Sequence, residues 1–496
     1  MTVADKKGVV PFLIVVGLAS ALFFFRLGDR SFRNPDEGRY AEIAREMVQS
    51  GDWIVPRLYG VDYLRKPVLF YWFVALSFNL FGFTELAARA VPAALGVLGI
   101  AATYLFTARV FGRRSAFFAG LLHLSNLGYL TVGRYLLMDM GFSFFVTGAL
   151  YLFYLGTAEP APGSKVYFFF FYVAAALAFL TKGLAGVVLP GLAAAVYLLW
   201  TRQFRCVISR MGLPVGIAVF AAIALPWFVA ISRKKPEFLS FFFFHEHLKR
   251  FVSSDFEHQA AWYFYFLALA VIFSPWIFFV GPMKKSFNFL KRGALDRPRF
   301  FLFVSALSVV LFYSLSRSKL PTYILPAVIF LSALIADGWA RWDTRHARPI
   351  FFGVVAFFCA ASVAVTVGLE KVNLNYTTKS FAEDLKGRLQ GVPSDRVFIY
   401  DHPGAFYDFE FYLGHPVKLV GLEGEFELSR DDAEAQEASV SHEEFKKILS
   451  GTESVYCLMR KSDYLGWDAV YREQVRVLKE DERKVLLANH ATAGRL

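Results

Sequence analysis

Along most of this chain apolar residues do not alternate with polar ones; they run. From Val9 to Val367 long apolar stretches recur between short polar links, and a helix needs about 20 such residues to cross a hydrocarbon layer about 30 Å thick. That rule predicts eleven spans, at roughly residues 9–25, 85–108, 115–132, 136–156, 166–181, 184–200, 212–231, 262–280, 299–315, 321–338 and 349–368. A further apolar stretch, 68–83, is short and follows Lys66-Pro67, so it reads as an interfacial or re-entrant helix within a first loop of about residues 26–84. After residue 370 the pattern changes. Short β-type runs at 397–400, 417–420 and 455–458 alternate with polar helical segments at 408–413 and 442–449, and two runs flanking 479–483 read as a closing hairpin. The predicted architecture is a polytopic α-helical membrane domain over residues 1–370 and a small soluble α/β domain over 371–496.

Composition narrows the class further. Of 496 residues 56% are hydrophobic and 19% charged, against about 45–50% and about 25% in soluble domains. A soluble enzyme, a disordered chain and a disulfide scaffold are excluded. Cys206, Cys359 and Cys457 are far apart and have no metal-ligand spacing. The segment Met1–Gly8 before the first apolar run could pass for a secretion signal, but no small-x-small cleavage site closes it, so the first helix reads as retained.

Charge sets the orientation. The net charge is +12, yet from Lys371 onward 17 Lys and Arg face 22 Asp and Glu, leaving +17 in the first 370 residues. Counted over every loop, the two membrane faces tie at 18 and 17 cations. The short loops break the tie. Arg109–Arg114, Arg202–Arg210, Lys284–Arg299 and Arg341–Arg348 share a side with the basic N-terminus, whereas the opposite short loops, around Arg134, Lys182 and Arg317–Lys319, hold four. This places the N-terminus in the cytoplasm and the C-terminal domain outside. No soluble basic stripe with interleaved aromatics supports nucleic-acid binding.

Ionisable residues near membrane depth are expensive unless paired or functional. Under the predicted topology they gather on the external face: Asp36, Glu37, Arg65, Lys66, Glu85, Arg89, Arg134, Asp139, Lys182, His245–Arg250 and Arg317–Tyr323. Asn34 and Pro35 suit the start of a helix whose first turn carries Asp36 and Glu37. This reads either as a capped amphipathic surface helix or as a device placing Asp36 at a cavity mouth as a general base. Lys66, just before a helix start, suits an anion such as a phosphate, or else snorkels to headgroups. Glu85 and Arg89, four apart, read as a structural ion pair. Asp139, one turn inside a span, requires a partner or a cavity. Arg250 beside an apolar run reads as a phosphate ligand, and Lys319 lies in an anion-friendly turn ahead of a helix that starts at Pro321. His245 and His247, two apart, cannot hold one metal from a regular helix.

Several motifs occur together: Pro35-Asp36-Glu37-Gly38-Arg39-Tyr40, Gly51-Asp52-Trp53-Ile54-Val55-Pro56, Lys66-Pro67, Arg134-Tyr135 with Asp139, His247 with Arg250-Phe251, and Ser318-Lys319-Leu320-Pro321-Thr322-Tyr323. In this order they resemble the bacterial lipid-linked glycosyltransferases, whose best-known branch moves 4-amino-4-deoxy-L-arabinose to lipid A. The wider superfamily includes the dolichyl-phosphate-mannose–protein mannosyltransferases. The resemblance covers about residues 30–330 and implies a GT-C fold. It also implies an inverting transfer from a polyprenyl-phosphate sugar to a periplasmic acceptor: lipid A, another envelope glycan or a protein. It assigns Asp36 as the candidate base and Lys66, Arg250, Tyr323 and Lys319 to the donor phosphate. Glu37, Arg39, Tyr40, Asp139 and His247 are further cavity candidates. In the aminoarabinose branch a Glu before the Lys-Pro motif shares a metal with the histidine; Arg65 stands at that position here, which leaves a divalent metal in question.

Other classes fit less well. A transporter or flippase predicts inverted repeats and charges at the bilayer midplane, and neither is present in the sequence. An oligosaccharyl transferase or polymerase would carry an aromatic-rich acceptor motif beside Trp342-Asp343 or Trp467-Asp468, and none is there. A non-enzymatic scaffold leaves Asp36, Lys66 and Arg250 unexplained.

Overall fold

The computed structural model describes residues 3–160, 163–249, 259–279, 284, 286–287, 295–342, 345–389, 394–422, 426 and 433–491. The chain forms two compact units. One comprises Met1–Leu27, Arg65–Phe70 and Arg89–Val365, the other Gly28–Leu64, Tyr71–Ala88 and Thr366–Leu496.

The first unit is built from helices: α1 (Val3–Phe24), then, beyond α2 (Asp36–Ser50) and α3 (Leu69–Phe81), α4 (Glu85–Phe111), α5 (Arg113–Leu124), α6 (Leu127–Gly133), α7 (Met138–Ala158), α8 (Ser164–Lys182), α9 (Ala185–Trp200), α10 (Phe204–Arg210) and α11 (Leu213–Lys234). Helices at Arg297–Leu315, Leu325–Arg341 and Ala347–Asn373 follow. Among the described residues seven helices are long and apolar enough to cross a membrane, and α5 with α6, bent by 64°, makes an eighth. The apolar parts of α1 and α9 are shorter. Burial ranks these helices. Pro321–Arg341 is 94% buried over its most apolar stretch and packs against α5, α7 and Arg297–Leu315, so it is the central helix. Ala347–Gly368 and Leu213–Lys234 are only 11% and 28% buried and present apolar faces suited to lipid.

Two expected spans differ. The segment 262–280 holds only a nine-residue helix, Phe264–Ile272, and then a short 3-10 turn at Trp276–Phe278. Pro275 supplies no N–H and disfavours helix at Ser274, which stops the segment. The segment 115–132 breaks between α5 and α6. There Ser125 Oγ donates back to Leu121 O (2.7 Å), and the Asn126 side chain caps α6 by accepting from Tyr129 N (2.9 Å). The stretch 68–83 forms α3, whose 13 residues are too few to span.

The second unit joins α2, α3 and a two-stranded hairpin, β1 (Arg57–Leu58) with β2 (Val61–Asp62), to a C-terminal α/β layer. Its sheet has strands β3 (Val397–Tyr400), β4 (Lys418–Val420), β5 (Ser439–Val440), β6 (Tyr456–Arg460), β7 (Val475–Glu480) and β8 (Lys484–Asn489), in the order β5-β4-β3-β6-β8-β7. The first four are parallel, with Ile399 opposite Leu419 and Leu458. β6, β8 and β7 are antiparallel, so the expected closing hairpin is present. Phe398, Val420, Phe445, Cys457, Met459, Val485 and Leu487 form a continuous buried core. Near-continuous apolar runs in the inner strands follow from burial on both faces.

Candidate functional sites of the two units

In the second unit α2 begins at Asp36, directly after Pro35 at the N-cap position, which offers no capping side chain. Asn34 does not cap this helix. It serves the buried Asp408: Asn34 Nδ2 donates to Asp408 Oδ1 and to Ala405 O (3.0 Å), and Asn34 Oδ1 accepts from Asp408 N (3.1 Å). Thr377 Oγ1, Thr378 N and Thr378 Oγ1 complete the donors to that carboxylate, at 2.7, 3.0 and 2.8 Å. A buried carboxylate that cannot reach water needs several donors, and this need takes precedence over a cap. Burial still pushes the Asp408 carboxyl above its ordinary value.

Asp36 is 48% exposed and ion-paired with Arg39. The Arg39 guanidinium lies near the faces of Tyr40, Tyr63 and Tyr407, at 5.3, 5.9 and 5.9 Å. Tyr40 is buried, its ring 6.0 Å from that of Tyr71. Asp36 is thus an accessible carboxylate steadied by a cation that aromatic rings hold in place. Glu37 is different: it is buried and accepts from Arg33 N (3.0 Å) and Arg30 Nη2 (3.3 Å), tying the preceding loop to the helix start.

One turn along α2 lies a cluster that sequence reasoning missed. Arg45 grips Glu42 through Nε (2.9 Å) and Nη2 (2.5 Å), Glu410 through Nη2 (2.7 Å) and Gln49 through Nη1 (2.7 Å). Glu46 accepts from Tyr59 N and from Gly60 N (3.0 Å). The carboxylate oxygens of Glu42, Glu46 and Glu410 lie within 4.8 Å of one another, the one such donor group among the described residues. Three acids facing one guanidinium leave excess negative charge. Burial, reinforced by Glu42, pushes Glu46 up to about 8 and Glu410 well above the usual carboxylate range. Arg45 occupies the position that a cation would need, so these donors do not fit a metal.

In the first unit the buried Glu246 collects cations. Lys66 Nζ and Arg65 Nη1 each stand 3.7 Å from its carboxylate, and His245 Nδ1 stands at 3.9 Å. Arg65 brings charge and no ligand atom, so this pocket also does not fit a divalent ion. Asp139, in the first turn of α7, has the partner its burial demands: Lys182, the last residue of α8. The Lys182 ammonium lies 4.1 Å from the centre of the Tyr323 ring and 5.3 Å from that of Phe142. The first unit thus brings Asp139 and Tyr323 together around Lys182. Lys66 and Arg65 gather around Glu246.

Other expected members have different surroundings. Lys319 is buried and donates to Ser316 O inside its own turn, and burial together with the nearby Arg317 charge holds its amine below the ordinary lysine value. Arg134 donates to carbonyls at the end of α1, those of Leu22 and Phe23, and to that of Phe25 just beyond it. Glu85 and Arg89 have separate partners. Glu85 accepts from Lys379 Nζ (2.8 Å) and Tyr412 Oη (3.0 Å), and Arg89 donates to Leu27 O (3.2 Å). Their four-residue spacing suggested one ion pair, but tertiary partners take precedence. Arg250 lies outside the described residues, as does the side chain of His247.

Comparison with known proteins gives concordant results. The model of the dolichyl-phosphate-mannose-protein mannosyltransferase family matches residues 30–242. The undecaprenyl phosphate-alpha-4-amino-4-deoxy-L-arabinose arabinosyl transferase of Aeromonas hydrophila is 33% identical over 321 residues, 64% of this chain and 58% of that protein. The protein of the same name from Yersinia enterocolitica is 33% identical over 70% of this chain and 64% of its own length. The chain thus spans about 60% of the length of such curated relatives. The crystal structure of ArnT from Cupriavidus metallidurans bound to undecaprenyl phosphate matches with a TM-score of 0.83 at 27% identity, over 96% of this chain and 97% of that one.

Proposed function

This chain belongs to the polyprenyl-phosphate-sugar glycosyltransferase superfamily and has its GT-C fold, and on that premise we propose that it moves a sugar from undecaprenyl phosphate to an acceptor in the bacterial envelope, lipid A or another glycan. The observation that carries this reading is the near full-length likeness to a structure holding undecaprenyl phosphate. The charge clusters of the first unit support it.

In this reading the acceptor hydroxyl attacks the anomeric carbon as the bond from that carbon to the phosphate oxygen breaks. The hydroxyl proton passes to Asp36, and the electron pair of the broken bond leaves on the lipid phosphate. A single displacement inverts the anomeric centre. The departing anion requires fixed positive charge. Lys66 and Arg250 are proposed to supply it, with Tyr323 and Lys319 as further donors and Asp139 orienting Lys182. No step uses a metal. The N-terminus is assigned to the cytoplasm and the C-terminal layer to the periplasm. A reporter fused after Val367 tests this assignment and should read external.

Asp36→Ala tests the chemistry: with expression and insertion retained, transfer should fall by about 10²–10⁴-fold, the usual contribution of a general base. Wild-type transfer by this variant overturns its role. The match to protein mannosyltransferases favours a second reading, a protein acceptor. Mass spectrometry of envelope lipids and glycoproteins, with and without the chain, separates the two.

A further inference from the structure

A cavity of about 420 Å³ lies at the start of α8, walled by α8, α10 and α11. The 19 residues of α8 place its first residue about 28 Å from Lys182 at its last. This is close to the thickness of the hydrocarbon layer. The cavity therefore belongs to the membrane face opposite the Asp139–Lys182 pair and plays no part in the reaction proposed above.

One half of the cavity is apolar. Phe169, Val215 and Val219 line it, and the adjoining Val166, Phe170 and Ile217 are exposed, as suits a surface in contact with lipid tails. The floor is tight: a Cβ at Gly216 would come within 2.1 Å of the Tyr172 ring.

The other half is polar and basic. No side chain caps the first turn of α8, and although Ser164 N donates to Pro160 O (3.2 Å), the turn keeps the positive end of the helix dipole. Ser164 lines the cavity and is fully buried, and its Oγ has no hydrogen-bond partner among the described residues; nor does Tyr172 Oη. Buried polar groups without partners are uncommon and point to a missing ligand or water. Lys165 is exposed and has no ion pair or hydrogen bond among the described residues. Arg210 donates to Glu159 O (3.1 Å) and Thr157 O (3.3 Å), both neutral acceptors, and its buried Nε remains unpartnered. Two cations thus flank an uncapped helix start with no carboxylate paired to either among the described residues.

We propose that this groove holds an anionic phospholipid of the surrounding bilayer, with its phosphodiester at the α8 start between Lys165 and Arg210 and one acyl chain along Phe169, Val215 and Val219. The apolar half favours a lipid over a free anion. The uncompensated positive charge favours a headgroup of net negative charge over a zwitterion, whose ammonium would meet the same two cations.

The test uses the full chain purified in detergent, loaded with phosphatidylglycerol or phosphatidylcholine and examined by native mass spectrometry. A one-to-one phosphatidylglycerol adduct should survive activation that strips phosphatidylcholine. Lys165→Glu, at an exposed position, should lower adduct occupancy about ten-fold or more, because a nearby cation contributes about 1 kcal/mol and reversal counts it twice. Val215→Trp, which fills the apolar half from a lipid-facing position, should abolish the adduct with the fold unchanged by circular dichroism. Equal retention of both lipids, unchanged occupancy in both variants, or full displacement by millimolar inorganic phosphate would each overturn the proposal. The readout does not depend on sugar transfer.

Discussion

Arg45→Met removes the one guanidinium that Glu42 and Glu410 share in the interior of the second unit. The bidentate grip on Glu42 and the 2.7 Å bond to Glu410 are lost together. Removing one partner of a buried ion pair costs about 3–5 kcal/mol, because the remaining charge is stranded. Here the stranded groups have an escape: they can take up protons. Glu410 already lies well above the usual carboxylate range, and Glu46 at about 8. Without Arg45 their folded values rise further above the unfolded ones near 4.3. A carboxyl with a raised folded value favours folding below its unfolded value and loses that contribution as pH rises towards the folded one. Up to about pH 8 these two groups are protonated with or without Arg45, so the part of the Arg45→Met deficit that they carry should grow towards the full 3–5 kcal/mol only above pH 8. Cys457, 1% exposed in the sheet core, supplies the assay. With Cys206 and Cys359 changed to Ser, a thiol-reactive dye reports opening of the C-terminal layer on heating. For a body of roughly 150–250 residues each kcal/mol shifts the midpoint by about 2–4 °C, so a fall of up to about 6–20 °C is expected above pH 8, growing as pH rises. A deficit below about 1 kcal/mol, or one that does not vary with pH, would refute the assignment of Arg45 as the cation of this cluster.

Further predictions concern single groups. Glu46, raised to about 8, should make the wild-type second unit lose stability between pH 5 and 8, at up to about 1.4 kcal/mol per unit; Glu46→Gln should flatten that slope in the same dye assay. A Cβ at Gly38 would come within 2.2 Å of Asn34 Oδ1 and 2.6 Å of Asp408 N, so Gly38→Ala should cost about 1–3 kcal/mol by overpacking, seen as a lowered midpoint. Asp139→Asn leaves the Lys182 ammonium without its ion-pair partner and should lower both the melting midpoint and transfer; adding Lys182→Met should recover the midpoint but not transfer, as parallel melting and turnover measurements would show.

Where structure depends on local pattern it was legible. The strand runs at 397–400, 417–420 and 455–458 lie within two residues of β3, β4 and β6 at each end, because each is an apolar run bounded by charged or turn residues. Most spans were legible for the same reason. What was hidden depends on partners remote in the chain. Glu42, Arg45 and Glu46 have the spacing of ordinary surface pairs on a helix, and nothing local reveals that Glu410, 365 residues from Arg45, converts them into a buried cluster. The exchange of Asn34 from cap to Asp408 ligand, and the separate partners of Glu85 and Arg89, have the same origin. The break at Pro275 was open to reading, since proline is the strongest local stop signal, but the apolar run around it dominated the pattern.

The tie of 18 to 17 cations between the two faces has a physical cause in the first unit. Arginines at helix ends satisfy unpaired C-terminal carbonyls wherever those ends fall. Arg134 does so for α1 close to the start of α7, and Arg210 does so for α7 at its far end. Arg299 and Arg341 are committed to the buried Asp337, and Arg109 to Glu159. Arg109, Arg299 and Arg341 count fully in a positive-inside tally, yet carboxylates within the protein neutralise them and their charge reports little about lipid or ligand. The informative cations are those whose charge their surroundings leave unneutralised, as at Lys165, which has no ion pair among the described residues. Surplus positive charge, not total positive charge, identifies where a phosphate is expected.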